Sequence, residues 1–120
     1  MILQPSDAQS ATAAILALSK AFADPLRLDV LRLLKNNSFG VMELCHITTT
    51  AQSGMSHHLK ILSACGLLET KREGTSNFYR RAMLPQNGFL NDLTKAFLST
   101  LDQAPLSSQL LKNRQEIYDD

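Results

Sequence analysis

Gln52-Ser53-Gly54-Met55-Ser56-His57-His58-Leu59-Lys60-Ile61-Leu62, running on to Ala64, sets the architecture of this chain. Met55, Leu59 and Leu62 recur at helical spacing and mark one face as buried. The other side carries Gln52, Ser53, Ser56, His57 and Lys60, which are polar and include no acid. Gly54 keeps the start of the helix slim, and Gly66 stands where a helix C-cap belongs. His58 lies beside the apolar face and reads as a semi-buried histidine, whereas His57 points outward. A helix with this face fits the major groove of a duplex, where side chains reach base edges and phosphates.

The segments on either side complete the unit. Upstream, a short helix is expected over Val41–Ile47, and Thr48-Thr49-Thr50 suits a turn. The two helices form a helix-turn-helix over about 41–64. Downstream, Leu67–Arg72 and Asn77–Arg81 read as strands around a Glu73-Gly74-Thr75-Ser76 turn, a hairpin or wing over about 67–81. Lys71, Arg72, Thr75 and Arg80 would be placed there for contact with the DNA backbone or minor groove.

Charge follows the same segment. The net charge of the 120-residue chain is +1. Residues 1–52 balance to zero and residues 82–120 carry −2. Residues 53–81 carry +3, from Lys60, Lys71, Arg72, Arg80 and Arg81 against Glu69 and Glu73. A local basic stripe attracts a phosphate backbone.

Further out, a first helix is expected over about 8–22, with Ile15, Leu18 and Phe22 on one face. Asp24-Pro25 then opens a second helix as N-cap and first helical residue, with Leu26, Val30, Leu33 and Leu34 inward. Arg27 and Arg32 on it read as structural partners of nearby carboxylates, Asp24 or Asp29. Pro85 and Gly88 punctuate the chain before a fifth helix over about 89–101, striped by Leu90, Leu93, Phe97 and Leu101. Pro105 ends it, and the tail 106–120 has room for one weak helix. The expected architecture is one mainly α domain over 1–120, with a small β-hairpin and five to six helices: a winged helix-turn-helix.

Three runs, in order and spacing, resemble the ArsR/SmtB-type winged-helix regulators. They are Ala21-Phe22-Ala23-Asp24-Pro25-Leu26-Arg27-Leu28, the stretch 52–62, and the wing pieces Gly66-Leu67-Leu68, Arg72-Glu73-Gly74 and Phe78-Tyr79-Arg80. The resemblance covers about residues 12–101. It implies a homodimer bound to double-stranded DNA at an inverted-repeat operator, usually as a repressor. The first and fifth helices would form the dimer interface, through Ile15, Leu18, Leu90, Leu93, Phe97 and Leu101.

The family's usual sensors are matched only in part. Metal-sensing relatives place Cys-x-Cys after Glu-Leu on the third helix. Here Glu43-Leu44-Cys45-His46-Ile47 supplies the first thiol and an isoleucine in place of the second. A second family site pairs Asp with His on the fifth helix. This chain has Asp92 there, but its histidines are His46, His57 and His58. Neither site is expected to bind metal, and no cofactor is expected. Cys45 and Cys65 are too few for a disulfide framework. They read as buried packing thiols or, alternatively, as a thiol-redox pair, which requires their Cα atoms within about 7 Å. A small-molecule effector stays open.

Composition bounds the rest. A hydrophobic content of 44% supports a core, and no apolar run approaches the ~20 residues of a membrane span. No basic stretch precedes the N-terminal apolar residues, so no secretory signal is expected and the cytoplasm is the expected location. The polar residues form no nucleophile elbow, phosphate loop or carboxylate pair, which argues against an enzyme. A winged-helix protein-interaction module that does not touch DNA is the other rival. Retention of Lys60, Lys71, Arg72, Arg80 and Arg81 argues against it.

Overall fold

The computed structural model describes residues 5–84 and 89–119, with side chains over 10–84 and 91–119. Helix α1 (Pro5–Phe22) is followed by α2 (Pro25–Leu33), strand β1 (Phe39–Gly40), α3 (Val41–Thr48) and α4 (Gln52–Ala64). Strands β2 (Leu68–Glu73) and β3 (Ser76–Arg81) precede α5 (Phe89–Asp102) and α6 (Ser108–Asp119). This is a winged helix-turn-helix. None of these helices is long and apolar enough to cross a membrane. Pro85 and Gly88 lie outside the described residues, and Leu90 outside the described side chains.

The element boundaries have local causes. Asp24 is extended (φ −146°, ψ 128°), and its Oδ1 accepts the amides of Leu26 at 2.8 Å and Arg27 at 3.1 Å. Pro25 follows at a position where no amide is needed. Glu43 reaches back to the Gly40 amide (3.0 Å) at the start of α3. Gly66, at φ +80°, turns the chain out of α4. The wing turn is tighter than the sequence suggests. Glu73 pairs with Ser76, leaving Gly74 (φ +63°) and Thr75 as a two-residue loop.

The core joins α2 (Val30, Leu31, Leu33), Leu34 and Phe39, Leu44 and Ile47 of α3, Met55, Leu59 and Leu62 of α4, and Leu67 and Leu68 at the wing base. Ala21, Phe22 and Leu101 close it from α1 and α5. The helix-turn-helix therefore rests on α2. Two elements extend the expected fold. Strand β1 pairs with β3 (Phe39 with Tyr79, Gly40 with Phe78), giving the sheet order β1-β3-β2. Two residues are too few for a period-2 signal. Helix α6 is a full element packed on α3. Asn113 is buried, donates to the Ile47 carbonyl at 2.9 Å and accepts from Gln109 at 2.9 Å. Tyr118 donates to Asn37 (2.8 Å), and His46 Nε2 lies 2.7 Å from Glu116.

Candidate nucleic-acid interface

The turn between α3 and α4 fixes how the recognition-type helix stands. Thr49 is left-handed (φ 55°, ψ 50°), and both its amide and that of Thr50 donate to the Cys45 carbonyl. A β-branched residue in this region is strained. Around it, Thr48 Oγ1 donates to Leu44 O at 2.7 Å, and Thr50 Oγ1 lies 3.0 Å from the same hydroxyl. The hydroxyls thus satisfy the groups that a sharp bend frees.

On α4 the two faces separate as spaced. Met55, Leu59 and Leu62 are buried, while Gln52, Ser53, Ser56, His57 and Lys60 are exposed. Ala51, which has no capping oxygen, precedes the helix, so its first amides face outward with the positive end of the helix dipole. Such an end favours phosphate. A Cβ on Gly54 would meet only Thr50 Cγ2, at 3.5 Å, so packing does not demand glycine there.

The wing distributes its charges less uniformly than the sequence suggests. Register places Glu69 opposite Arg80, Lys71 opposite Phe78 and Arg72 opposite Asn77. Alternation then sets Lys71 and Arg80 on one face and Arg72 on the other. Lys71 pairs with Glu73 (3.3 Å), and Arg80 pairs with Glu69. Lys71, Arg72, Thr75 and Arg80 are all exposed. Arg81 turns inward: it grips Asp102 of α5 with two bonds of 2.8 and 2.6 Å and the Leu31 carbonyl with a third of 2.7 Å. Asp102 is held below its ordinary value of 3.8 chiefly by that hydrogen bonding, against the desolvation of burial. Among the described residues, Lys60 and Arg72 are the cations of this segment with no carboxylate within 4 Å.

Arg27 differs from its expected role. Its carboxylate neighbour Asp24 caps the backbone, and its guanidinium is buried elsewhere. Nε donates to Ala21 O (3.0 Å), Nη2 to Lys20 O (2.8 Å), and Nη1 meets His58 Nδ1 at 2.9 Å. Arg32 does pair with Asp29, at 3.0 Å. His58 is half-buried, as its place beside the apolar face predicts. Sequence spacing carried no sign of the Arg27–His58 contact, which spans 31 residues. The inward turn of Arg81 had a signal: it alternates with Tyr79 on the face opposite Arg80.

Between α1 and α5, Phe22 and Phe97 stack with ring centroids 3.8 Å apart and planes 14° from parallel. Even so, Ile15 (41%), Leu93 (52%) and Phe97 (43%) stay exposed, and Leu18 is half-buried. Leu101 is buried in the core of the chain. Cys45 is buried in the core, and Cys65 is half-buried against a cavity of about 330 Å³ between α1, the end of α4 and α5. Burial pushes both thiols up. Among the described residues, no three His, Cys, Asp or Glu side chains converge as a metal cage would require.

The comparisons agree with this geometry. A family model described as bacterial regulatory protein, arsR family, matches residues 24–70. An uncharacterised HTH-type transcriptional regulator of Methanocaldococcus jannaschii is 44% identical over 61 residues, covering 50% of this chain and 68% of that protein. The transcriptional activator HlyU of Vibrio cholerae is 38% identical over 79 residues, 66% of this chain and 71% of HlyU. The solved HlyU structure superposes with a TM-score of 0.63 at 30% identity, covering 78% of this chain and 92% of that one. The homodimeric winged helix-turn-helix DNA-binding domain of a possible ArsR-family regulator from Mycobacterium bovis gives a TM-score of 0.65 at 26% identity, covering 89% and 94%.

Proposed function

This chain belongs to the arsR family of bacterial regulatory proteins and is a DNA-binding transcriptional regulator, and we propose that it acts as a homodimer on an inverted-repeat operator. The observation that carries this reading is the exposed, acid-free face of α4 from Gln52 to Lys60, set on a buried apolar face. Two copies of α4, one helical turn apart, would enter successive major grooves. Gln52, Ser53, Ser56 and His57 would meet base edges, and Lys60 a phosphate. Arg72 and Thr75 of the wing would hold flanking backbone, with Lys71 and Arg80 contributing once freed from Glu73 and Glu69.

The dimer would form through α1 and α5. Ile15, Leu93 and Phe97 make a contiguous apolar surface of the kind that marks an interface. Leu18 would lie at its edge, and Leu90 belongs to the same stripe. The molecule is elongated, 53 × 32 × 24 Å with a radius of gyration of 15.5 Å. About 14 Å is typical of a self-contained domain of this length. Occupancy over a promoter would repress by excluding polymerase. An effector acting through α1 and α5 would need only about 1–3 kcal/mol of coupling to change occupancy.

Selection of genomic fragments by the purified protein, then titration of the tightest fragment at two salt concentrations, tests this. A palindromic site with a steep salt slope is the expected result. No enrichment at low salt, or a Phe97→Asp variant of unchanged mass by light scattering, refutes the operator or the interface respectively.

A further inference from the structure

The buried guanidinium of Arg27 spans three elements. Two of its nitrogens close the C-terminal carbonyls of α1, at Lys20 and Ala21, and the third reaches His58 on α4. A guanidinium only donates, so His58 Nδ1 must accept, and the imidazole proton must sit on Nε2. One arginine therefore ties the last turn of the proposed dimer helix to the middle of the recognition helix. His58 adjoins His57, whose ring centroid is 5.8 Å away on the outward face.

We propose that Arg27 is a positioning residue for α4, and that its grip on His58 is a proton-sensitive latch coupling α1 to DNA affinity. The affinity part rests on the DNA reading above. A proton on Nδ1 would set N–H against N–H and bring two cations to 2.9 Å, so the latch opens. The groups facing His58 are Arg27 of α2 and His57 of α4, which oppose its protonation, and the Asp24 carboxylate at the N-cap of α2, which favours it. Helix α1 presents backbone carbonyls there, and the Lys20 side chain is exposed. Burial opposes protonation most strongly, so the latch is closed at neutral pH and opens on acidification.

The test compares the full-length protein with its His58→Gln variant, whose amide oxygen can accept from Arg27 without titrating. In nitrogen NMR of the free protein, the His58 proton is expected on Nε2 at pH 8. The Ala21 and Phe22 amides should shift with the His58 midpoint in the wild type and stay still in the variant. With the tightest selected fragment, wild-type and variant affinities should agree within about two-fold at pH 8. Once the pH has fallen well below the His58 midpoint read in the spectra, the wild type should weaken about five-fold more than the variant. A proton on Nδ1, α1 amides blind to His58, or identical pH profiles would overturn the latch. Absence of DNA binding at every pH would instead remove the DNA reading, and the spectra of the free wild type would still decide the latch.

Discussion

Removing Asp102 should cost more than removing its partner Arg81, and removing both should cost less than the two losses added. Their side chains are 15% and 12% exposed and share two short bonds. In Asp102→Leu the guanidinium keeps only the Leu31 carbonyl, and stranding one half of a buried pair costs about 3 kcal/mol. In Arg81→Met the carboxylate keeps Lys35 Nζ at 3.9 Å and some water, so the loss is nearer about 2 kcal/mol. The double variant strands neither charge and should lose about 2 kcal/mol in total, a coupling of about 3 kcal/mol. Urea unfolding at fixed protein concentration measures each, because the proposed dimer would add its own term. The folded-state value of Asp102 lies below 3.8. Its stabilisation is therefore complete above the unfolded value and is lost as pH falls through the folded one. The gap between wild type and Asp102→Leu should hold from pH 7 to about 5 and narrow below the ordinary carboxylate value. Single losses that add within about 0.5 kcal/mol, or a gap that persists at low pH, would refute the reasoning.

Lys60→Ala and Arg72→Ala should each weaken binding across sequences and lower the salt slope by about 1, measured by fluorescence anisotropy. Lys71→Ala and Arg80→Ala should do less, because Glu73 and Glu69 already neutralise them; equal slopes for all four would contradict the wing assignment. Thr49→Gly should raise stability by about 1 kcal/mol by relieving the left-handed β-branched residue, and a lower melting temperature would show that the turn needs its side chain. Asn113→Ala should cost about 1–2 kcal/mol, since it orphans the Ile47 carbonyl and unseats α6 from α3. No change in the denaturation midpoint would mean that α6 contributes no stability.

Local patterns in the sequence were sufficient for the elements that carry them. The α4 faces, the Asp24-Pro25 start of α2, the Gly66 stop and the wing are written in spacing, capping and turn residues, which act over a few positions. The exposed polar set on α4 follows from the same period, because burying Met55, Leu59 and Leu62 turns Ser53, Ser56, His57 and Lys60 outward. Strand β1 and the firm seating of α6 were not legible. The first is two residues long, and the second depends on Asn113 finding the Ile47 carbonyl 66 positions away. The same limit applies to charge. Counting gave residues 53–81 a surplus of +3, but tertiary structure sets Arg81 on Asp102, Arg80 on Glu69 across the wing and Lys71 on Glu73 along β2. Which faces are apolar and which polar was readable from residue order, since that depends on the backbone period alone. The partner of each arginine depends on distances between elements, which exist only once the helices have packed.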